Sequence, residues 1–296
     1  MSWNDQNTLN EPSGEWGGPW TEKKLEAFSK YVWSYLTIMK KFPYWKTIYF
    51  DGFAGSGTRN KQSKPELMQQ LKITEEEERT YKGAAERVLS FQELSFDFYY
   101  FIDKNDNSLK KLKTKLEEQF EEKRIVYRSG DANKQIIELA NALKTQKYAA
   151  LVFLDPFGMQ IDWSSIEELK ETRSDVWILI PTGVIVNRLL DRNGKLQFSK
   201  KLQSFFGLSI EEIKEYFYKE TKVQTLFGED EIITKVSKPI QKIASLYAEK
   251  MNTIWKHVTN EPLILKNRNG SPIFHFVFAS NNPNAKKIAK QIIQNI

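Results

Sequence analysis

The chain has 296 residues, of which 40% are hydrophobic and 13% aromatic, a composition typical of a folded globular protein. It contains no cysteine and only two histidines, which excludes disulfides, cysteine-ligated metals, histidine-rich metal sites and the cysteine nucleophile of C5-cytosine methyltransferases. The formal net charge of +6 mildly favours a nucleic-acid partner.

The N-terminal region lacks the basic and then apolar layout of a secretory signal peptide. No apolar run approaches the roughly 20 residues of a membrane-spanning helix. We therefore expect a cytoplasmic protein. We also expect a single domain over residues 1–296. It would begin with an extended arm at residues 1–20, which are rich in Asn, Gly and Pro and contain three tryptophans.

Helices and strands alternate through the first 180 residues of the predicted structure. An amphipathic helix is predicted from a capping Thr21 to Met39, and residues 60–83 are predicted to form a solvated insertion because they are polar and carry a block of glutamates. The predicted strands are Ile48–Phe50, Phe96–Ile102, Arg124–Tyr127, Tyr148–Leu154 and Asp175–Ile180. The predicted helices between them are 84–91, 106–123, 135–143 and 164–171. This alternation predicts an α/β fold with a mostly parallel sheet and helices on both faces.

The alternation stops after Pro181. Residues 184–236 are predicted to be an insertion of short amphipathic helices, for example 210–219, that forms a helical cap beside the ligand crevice. A helix is then predicted over 238–257 and a β-hairpin over Leu263–Lys266 and Ile273–Ala279, because Asn269-Gly270 is a strong hairpin signal. The last predicted helix covers 284–293.

A glycine-rich turn follows the first predicted strand. Asp51 ends that strand and is followed by Gly52, Phe53, Ala54, Gly55, Ser56 and Gly57. The pattern is neither the dinucleotide fingerprint nor the P-loop. It resembles the D-x-F-x-G-S-G-T motif of S-adenosylmethionine-dependent methyltransferases, in which the acid faces the methionine amino group and the glycines pass under the sugar. The alternative is a tight turn without a ligand.

Four acids stand at or just after the C-terminal ends of predicted strands: Asp51, Asp103, Asp131 and Asp155. In an open α/β sheet these ends face one crevice, where ligands bind. Buried carboxylates are costly unless they are satisfied, so four acids there favour a ligand site. The alternative for each acid alone is a cap on the following helix.

The acids of the first three strands predict a nucleotide-type cofactor. Asp51 would hold a ligand ammonium group, and Asp103 would accept hydrogen bonds from ribose hydroxyls. Asp131 would accept from an adenine amino group while the backbone N–H of Ala132 donates to the ring. With Phe53, Gly55 and Gly57, these residues form the predicted S-adenosylmethionine site.

The candidate catalytic segment is Asp155-Pro156-Phe157-Gly158. It stands where amino-methyltransferases carry [DNS]-P-P-[YFW], a motif in which the acid orients the substrate amine and the aromatic ring stacks on the base. The second proline is missing here, and the D-P-F-G form resembles that of tRNA guanine-N2 dimethyltransferases. His275 is expected to be a residue at the edge of the core.

Most of the chain resembles one family, the three-Cys-motif partner proteins. The resemblance includes Gly18-Pro19-Trp20-Thr21, Lys24-Leu25, Tyr31, the turn from Asp51 to Gly57, Phe101-Ile102-Asp103, Gly130-Asp131, Leu154 to Gly158, Phe274-His275-Phe276 and Ala279-Ser280-Asn281. It implies a class I methyltransferase-like Rossmann fold and a separate partner with a three-cysteine, radical-SAM-like motif. We expect a methyltransferase that acts on an exocyclic amine of a nucleic acid. The alternative is a non-catalytic or repurposed Rossmann protein that binds the cofactor or a nucleotide and supports the partner.

Overall fold

The structure is a computed structural model, and it describes residues 19–55, 81–156, 158–225, 228–267 and 269–296. The predicted N-terminal arm before Pro19 and the predicted insertion as far as Thr80 lie outside the described residues. So do two of the predicted site residues, Gly57 and Phe157. The last residues of the predicted insertion, from Tyr81, belong to a helix.

The first part of the chain alternates between helices and strands. Its elements are α1 (Pro19–Met39), β1 (Lys46–Asp51), α2 (Tyr81–Leu89), β2 (Phe98–Asp103), α3 (Asp106–Glu117), β3 (Ile125–Ser129), α4 (Ala132–Thr145), β4 (Tyr148–Leu154), α5 (Trp163–Glu167) and β5 (Ser174–Ile180). All five predicted strands are confirmed, with boundaries that move by at most two residues.

The second part of the chain is mixed. It contains a π-helical turn (Thr182–Val186), α6 (Asn187–Leu189), α7 (Ser199–Phe206), α8 (Ile210–Phe217), β6 (Tyr218–Thr225), β7 (Gly228–Lys235), α9 (Pro239–Met251), β8 (His257–Val258), β9 (Leu263–Lys266), β10 (Pro272–Ser280) and α10 (Pro283–Gln294). Among the described helices, none combines the length and apolar character needed to cross a membrane.

The main sheet has the strand order β3-β2-β1-β4-β5-β10-β8, and β9 pairs with β10. Strands β1 to β5 pair in parallel, whereas β10 runs antiparallel to β5, β8 and β9. The result is a Rossmann-like α/β fold with a mostly parallel, mixed sheet. The order reverses between β1 and β4, which neighbour each other although β2 and β3 lie between them in the chain.

Each face of the sheet buries a separate apolar layer because alternate side chains of a strand point to opposite faces. Tyr49 and Phe153 pack on the side of α1, α3 and α10. Phe50 and Val152, their neighbours in sequence, pack on the side of α4, α5 and α9. Both layers close over β4, whose residues after Tyr148 are all buried, so β4 is central as its apolar sequence predicts.

Several predicted helix boundaries were wrong. The helix predicted over 106–123 ends at Glu117, and the helix predicted over 164–171 ends at Glu167. Helix α1 begins at Pro19 and not at a capping Thr21, which agrees with the preference of proline for the first turn, where no amide donor is needed. Helix α9 ends at Met251, and His257–Val258 form the short strand β8 on the edge of β10. A strand of two residues is too short to produce a periodic signal.

The predicted helical cap at 184–236 is helical only in its first part. Helices α6 to α8 are followed by β6 and β7, which form an antiparallel two-stranded sheet separate from the main one. The helix prediction is confirmed for α8, whose Ser209 and Glu212 form a capping box. Strands β6 and β7 were not predicted, because their β-branched residues are interspersed with lysines and glutamates, which conceal the strand pattern.

Candidate functional site

Three of the four predicted acids lie directly at the C-terminal ends of adjacent parallel strands. Asp51 is the last residue of β1, Asp103 is the last residue of β2, and Asp155 follows β4. Asp131 immediately precedes α4, after the end of β3. The strand order reverses between β1 and β4, and α/β sheets bind ligands at this point.

The glycine turn after β1 is joined to the strands on both sides. The amide of Gly52 donates to the carbonyl of Phe153 (3.0 Å), and the amide of Ala54 donates to the carbonyl of Ile102 (2.7 Å). A Cβ placed on Gly55 would lie 2.6 Å from Oδ2 of Asp103, so only glycine permits this approach of the backbone to the carboxylate.

The same turn reaches the start of α4. A Cβ placed on Gly52 would lie 3.8 Å from the Cβ of Ala132, which is buried. The fold therefore brings Asp51, Gly55, Asp103 and Ala132 together at one edge of the sheet. The ring of Phe53 is half-buried against the layer on the α4 side.

The acids of β1, β2 and β3 share one local geometry, in which Oδ1 accepts the amide N–H of the residue two positions later. The donors are Phe53 to Asp51 (3.0 Å), Asn105 to Asp103 (2.6 Å) and Asn133 to Asp131 (2.8 Å). Asp131 is also the N-cap of α4, so the capping alternative is realised there. At α3 the cap is Asn105 and not Asp103. The shared geometry fixes the orientation of each carboxyl group.

Asp51 is the most perturbed of these acids. It is 1% exposed, and burial, together with the nearby charges of Asp155 and Asp103, raises its pKa to about 7. The amide of Phe53 and the hydroxyl of Tyr49, 3.3 Å from Oδ2, oppose that shift. No lysine or arginine of the described ranges forms an ion pair with Asp51. A cationic group supplied by a ligand would therefore stabilise its ionised form.

Asp155 has the opposite environment. Its carboxylate forms an ion pair with the ammonium group of Lys24 in α1, and both side chains are almost completely buried. The Lys24 ammonium also lies 5.6 Å from the ring centroid of Trp20, which packs on Phe274. The first turn of α1 thus closes over the end of β4. A substrate group that reaches Asp155 must share the carboxylate with Lys24.

Lys24 has a functional position that sequence reasoning did not assign. The signal was present, because Lys24 precedes Phe28 by one helical turn and therefore lies on the apolar face of α1. A lysine on such a face requires a buried partner. The partner is 131 residues away in the chain, which no local pattern reveals.

Asn133 is a second residue that the sequence analysis missed. Its side-chain carbonyl accepts from the amide of Asp162 and from the hydroxyl of Ser165, both at 2.8 Å, and its Nδ2 donates to the carbonyl of Gln160 (2.9 Å). These bonds attach the segment after Asp155 to the start of α4. Pro156 and Gly158, the candidate catalytic residues described in this segment besides Asp155, are both buried.

The insertion packs on the same segment. Oδ1 of Asp162 accepts from Lys201 (3.0 Å), and it also forms a short hydrogen bond with Ser204, so α7 is attached to the start of α5. The insertion begins at the C-terminal end of β5 and therefore lies on the Asp155 side of the sheet. It was predicted beside the crevice, and the described contacts show that α7 packs against the segment that follows Asp155.

His275 lies at the same end of the sheet, opposite Ile180 in the pairing of β10 with β5. Its Nδ1 is 2.7 Å from the hydroxyl of Thr182, and the side chain is buried. Burial lowers the pKa of His275 to about 4, so the ring is neutral near pH 7. A neutral, buried and hydrogen-bonded ring fits the expected position in the core.

Within the described ranges, no three carboxylates or imidazoles are arranged to hold a metal ion. No protein-family model matches the chain, and no curated protein matches it. Among solved structures, the chain is similar to protein LPL1258 from Legionella pneumophila, which is described as a member of the family DUF519. That likeness has 11% identity and a TM-score of 0.38 over 88% of this chain and 97% of the other, and it carries no functional argument.

Proposed function

We propose that the protein binds S-adenosylmethionine across the ends of β1, β2 and β3. The observation that carries the proposal is Asp51, a carboxylate buried where the strand order reverses, with two acidic neighbours and no ion pair among the described residues. An ammonium group is the ligand group that such a carboxylate would favour most. The methionine part of the cofactor provides one.

Two further features support this cofactor. The approach of Gly55 to Asp103 forms a narrow backbone cradle, in which a carboxylate faces the space where ribose hydroxyls would bind. The strand order, with antiparallel β10 next to β5, agrees with the class I methyltransferase-like fold that the sequence resemblance implies. Asp131 and Ala132, at the start of α4, would contact the adenine ring.

We further propose that the protein methylates an exocyclic amine of a nucleic acid, with a three-Cys-motif protein as its partner. The cofactor, when bound, supplies the methyl group. Asp155 lies one strand from the glycine turn and would accept a hydrogen bond from the amine, which orients its lone pair. Lys24 holds the carboxylate in place, and the carbonyl of Pro156 would accept a second bond. The positive net charge suits a polyanionic substrate.

One observation favours a second function. Asp155, the acid that would position the substrate, already has a cationic partner inside the chain. If Lys24 keeps that carboxylate fully engaged, the protein would bind the cofactor or a nucleotide without transferring a methyl group and would serve the three-Cys-motif partner. The two functions share the Asp51 site and differ only at Asp155.

Calorimetry with S-adenosylmethionine and S-adenosylhomocysteine tests the cofactor proposal. We expect binding by the wild type and a loss of about 1–3 kcal/mol for Asp103→Ala, because polar groups of the ligand would lose their partner. Asp191→Ala is the matched control, since Asp191 accepts the amide of Asn193 in the same local geometry but lies in the insertion. No binding of either compound at millimolar concentration would refute the proposal.

Methyl transfer to bulk RNA and DNA, with the partner present, then separates the two functions. For Asp155→Asn we expect a much larger loss of turnover than of cofactor affinity, because the carboxylate would contact the reacting amine and would act on the cofactor site only through its charge. Thermal unfolding of the variant must be measured beside it, because the substitution also removes the partner of Lys24. A wild type that binds the cofactor but methylates neither nucleic acid favours the second function.

A further inference from the structure

The opposite edge of the sheet contains a cavity of about 590 Å³. It lies at the N-terminal ends of β4 and β5, between the end of α1, the segment that leads into β1 and the start of α10. The residues that line it include two aromatic and two charged ones, Tyr35, Trp45, Arg173 and Asp175. The proposed cofactor site lies at the other end of β4, roughly 20 Å away for a strand of this length.

One buried polar group in this cavity has no partner among the described residues. Tyr35 is 7% exposed, and its hydroxyl is buried without a hydrogen bond. Arg173 and Asp175 line the cavity together with Tyr35, so its wall contains charged groups as well as this hydroxyl. Asp175 is engaged elsewhere, since it accepts from the hydroxyls of Tyr31 (2.7 Å) and Ser280 (2.5 Å). The Tyr35 hydroxyl is therefore available to a ligand.

An exposed cluster of aromatic rings continues from the cavity onto the surface. This aromatic lip consists of Phe42, Tyr44 and Trp45, with ring centroids 6.1 Å apart for the first pair and 5.7 Å for the second. Phe42 is 41% exposed and Tyr44 is 60% exposed, although large aromatic side chains are usually covered. The guanidinium of Arg173 lies 3.8 Å from the ring centroid of Trp45 and adds a charged, planar surface to the lip.

The lip is flanked by positive charge. Its segment reads Lys40-Lys41-Phe42-Pro43-Tyr44-Trp45-Lys46, and all three lysines are exposed. Lys46 forms an ion pair with Asp97 (3.0 Å), so we assign the phosphate contacts to Lys40 and Lys41. Exposed aromatic rings between lysines are the elements of single-strand recognition, in which bases stack on the rings and phosphates contact the cations. Aromatic rings and arginine are also common at protein interfaces, but lysine is depleted there, so Lys40 and Lys41 favour a polyanionic ligand over a protein.

We propose that the aromatic lip and the adjoining cavity form a docking site for single-stranded nucleic acid. Bases stack on Tyr44 and Phe42, the backbone contacts Lys40 and Lys41, and one nucleotide enters the cavity and hydrogen-bonds with the hydroxyl of Tyr35. The docking site and the proposed methyl transfer both involve a nucleic acid, but the docking site uses none of the residues of the proposed cofactor site. Its binding is measurable without cofactor or partner, so either proposal can fail without the other.

Fluorescence anisotropy of the full chain with labelled 12-nucleotide oligouridine and oligoadenosine tests the site. An unlabelled RNA duplex, whose bases are not free to stack on the rings, is added as a competitor and should displace the single strands poorly. Tyr44→Ala is expected to weaken single-strand binding by at least about 5-fold, because a stacked base loses its platform. Phe198→Ala is the matched control, because Phe198 is also an exposed aromatic residue but lies in the insertion. Replacing both Lys40 and Lys41 by glutamine should reduce the slope of log affinity against log salt by about 1.4. The control replaces Lys219 and Lys222 of β6.

Tyr35→Phe tests the cavity with two readouts of opposite sign. The variant should bind oligonucleotides more weakly and should unfold at a higher temperature than the wild type, because it removes a buried hydroxyl without a partner. A wild type that binds no single strand at low salt overturns the proposal, as does a Tyr44→Ala variant that binds as well as Phe198→Ala. A Tyr35→Phe variant with unchanged affinity overturns the entry of a nucleotide into the cavity.

Discussion

Two buried carboxylates lie at the ends of neighbouring strands, and they differ in the charged groups that surround them. At the end of β4, Asp155 has a cation from its own chain, the ammonium of Lys24. At the end of β1, Asp51 has one backbone amide, a long contact to the Tyr49 hydroxyl and two carboxylates nearby. The charge of Asp155 is therefore neutralised by a group of the same chain. The arrangement around Asp51 becomes favourable only when an external cation or a proton neutralises it.

The difference bears on the separate roles that we propose for the two acids. A buried ion pair is expensive to break from one side, so Lys24 and Asp155 join α1 to β4 whatever else they do. A buried carboxylate with a raised pKa stores unfavourable energy in the free protein, a common property of binding and catalytic sites. This contrast supports the proposal that the cofactor binds at the β1 end and that the substrate is positioned at the β4 end.

The largest expected effect comes from Lys24→Met. Removal of the cation leaves Asp155 buried without a partner, and we expect a loss of about 3–5 kcal/mol in the free energy of unfolding. Denaturant unfolding measures it. The double variant with Asp155→Asn should recover most of the loss, because no unpaired charge remains. The control is Lys23→Met, which changes an exposed lysine one position earlier. If the two single variants unfold alike, the ion pair does not stabilise the fold.

Much of the fold could be predicted from the sequence because its signals are local. Strand β4 was predicted with the correct residues at both ends, since it is apolar throughout and is bounded by Lys147 and Asp155. The hairpin of β9 and β10 was predicted from Asn269-Gly270, and Gly270 has a positive φ of 75°. The placement of four acids along one edge followed directly from these strands.

The candidate site was less predictable, because the surroundings of its charged groups depend on contacts between residues far apart in the chain. Sequence alone could not show that Asp155 contacts Lys24 or that Asn133 holds the loop after β4, since each contact joins elements far apart in the chain. The aromatic lip is a local pattern in the sequence, but part of the wall of the adjoining cavity is formed by the loop that contains Arg173, which is far from the lip in the chain. The cap was predicted as helical because the charged side chains of β6 and β7 masked a strand pattern.

A smaller effect of opposite sign is expected for Asp51→Asn, which should stabilise the protein without ligand by about 0.5–2 kcal/mol. The pKa of Asp51 is about 7 in the folded state and near 3.8 in the unfolded state. A raised pKa gives stability that is complete below the unfolded value and is lost as pH rises through the folded value. The gain from Asp51→Asn should therefore be greatest above pH 7.

Thermal unfolding from pH 4 to pH 8.5 measures this gain, and Asp191→Asn serves as the control with the same local hydrogen bond. Calorimetry on the same variant should show weaker binding of S-adenosylmethionine, since the ammonium loses its ion pair. A destabilised Asp51→Asn variant would mean that the carboxylate is satisfied within the chain. The contrast with Asp155 would then disappear.

The smallest effect is expected for Tyr49→Phe. The Tyr49 hydroxyl is 3.3 Å from Oδ2 of Asp51 and lowers the pKa of that carboxyl, so its removal should raise the pKa of Asp51 further above the ordinary aspartate value. The expected destabilisation is about 0.5–1.5 kcal/mol at pH 8 and is smaller at pH 5, where Asp51 is protonated in both proteins. Tyr247→Phe provides the control, because the Tyr247 hydroxyl is buried without a hydrogen-bond partner among the described residues. Its effect should not change between the two pH values. A Tyr49→Phe effect that is equally independent of pH would show that the hydroxyl does not act on the ionised form of Asp51, and the amide of Phe53 would then be the donor that opposes the rise in its pKa.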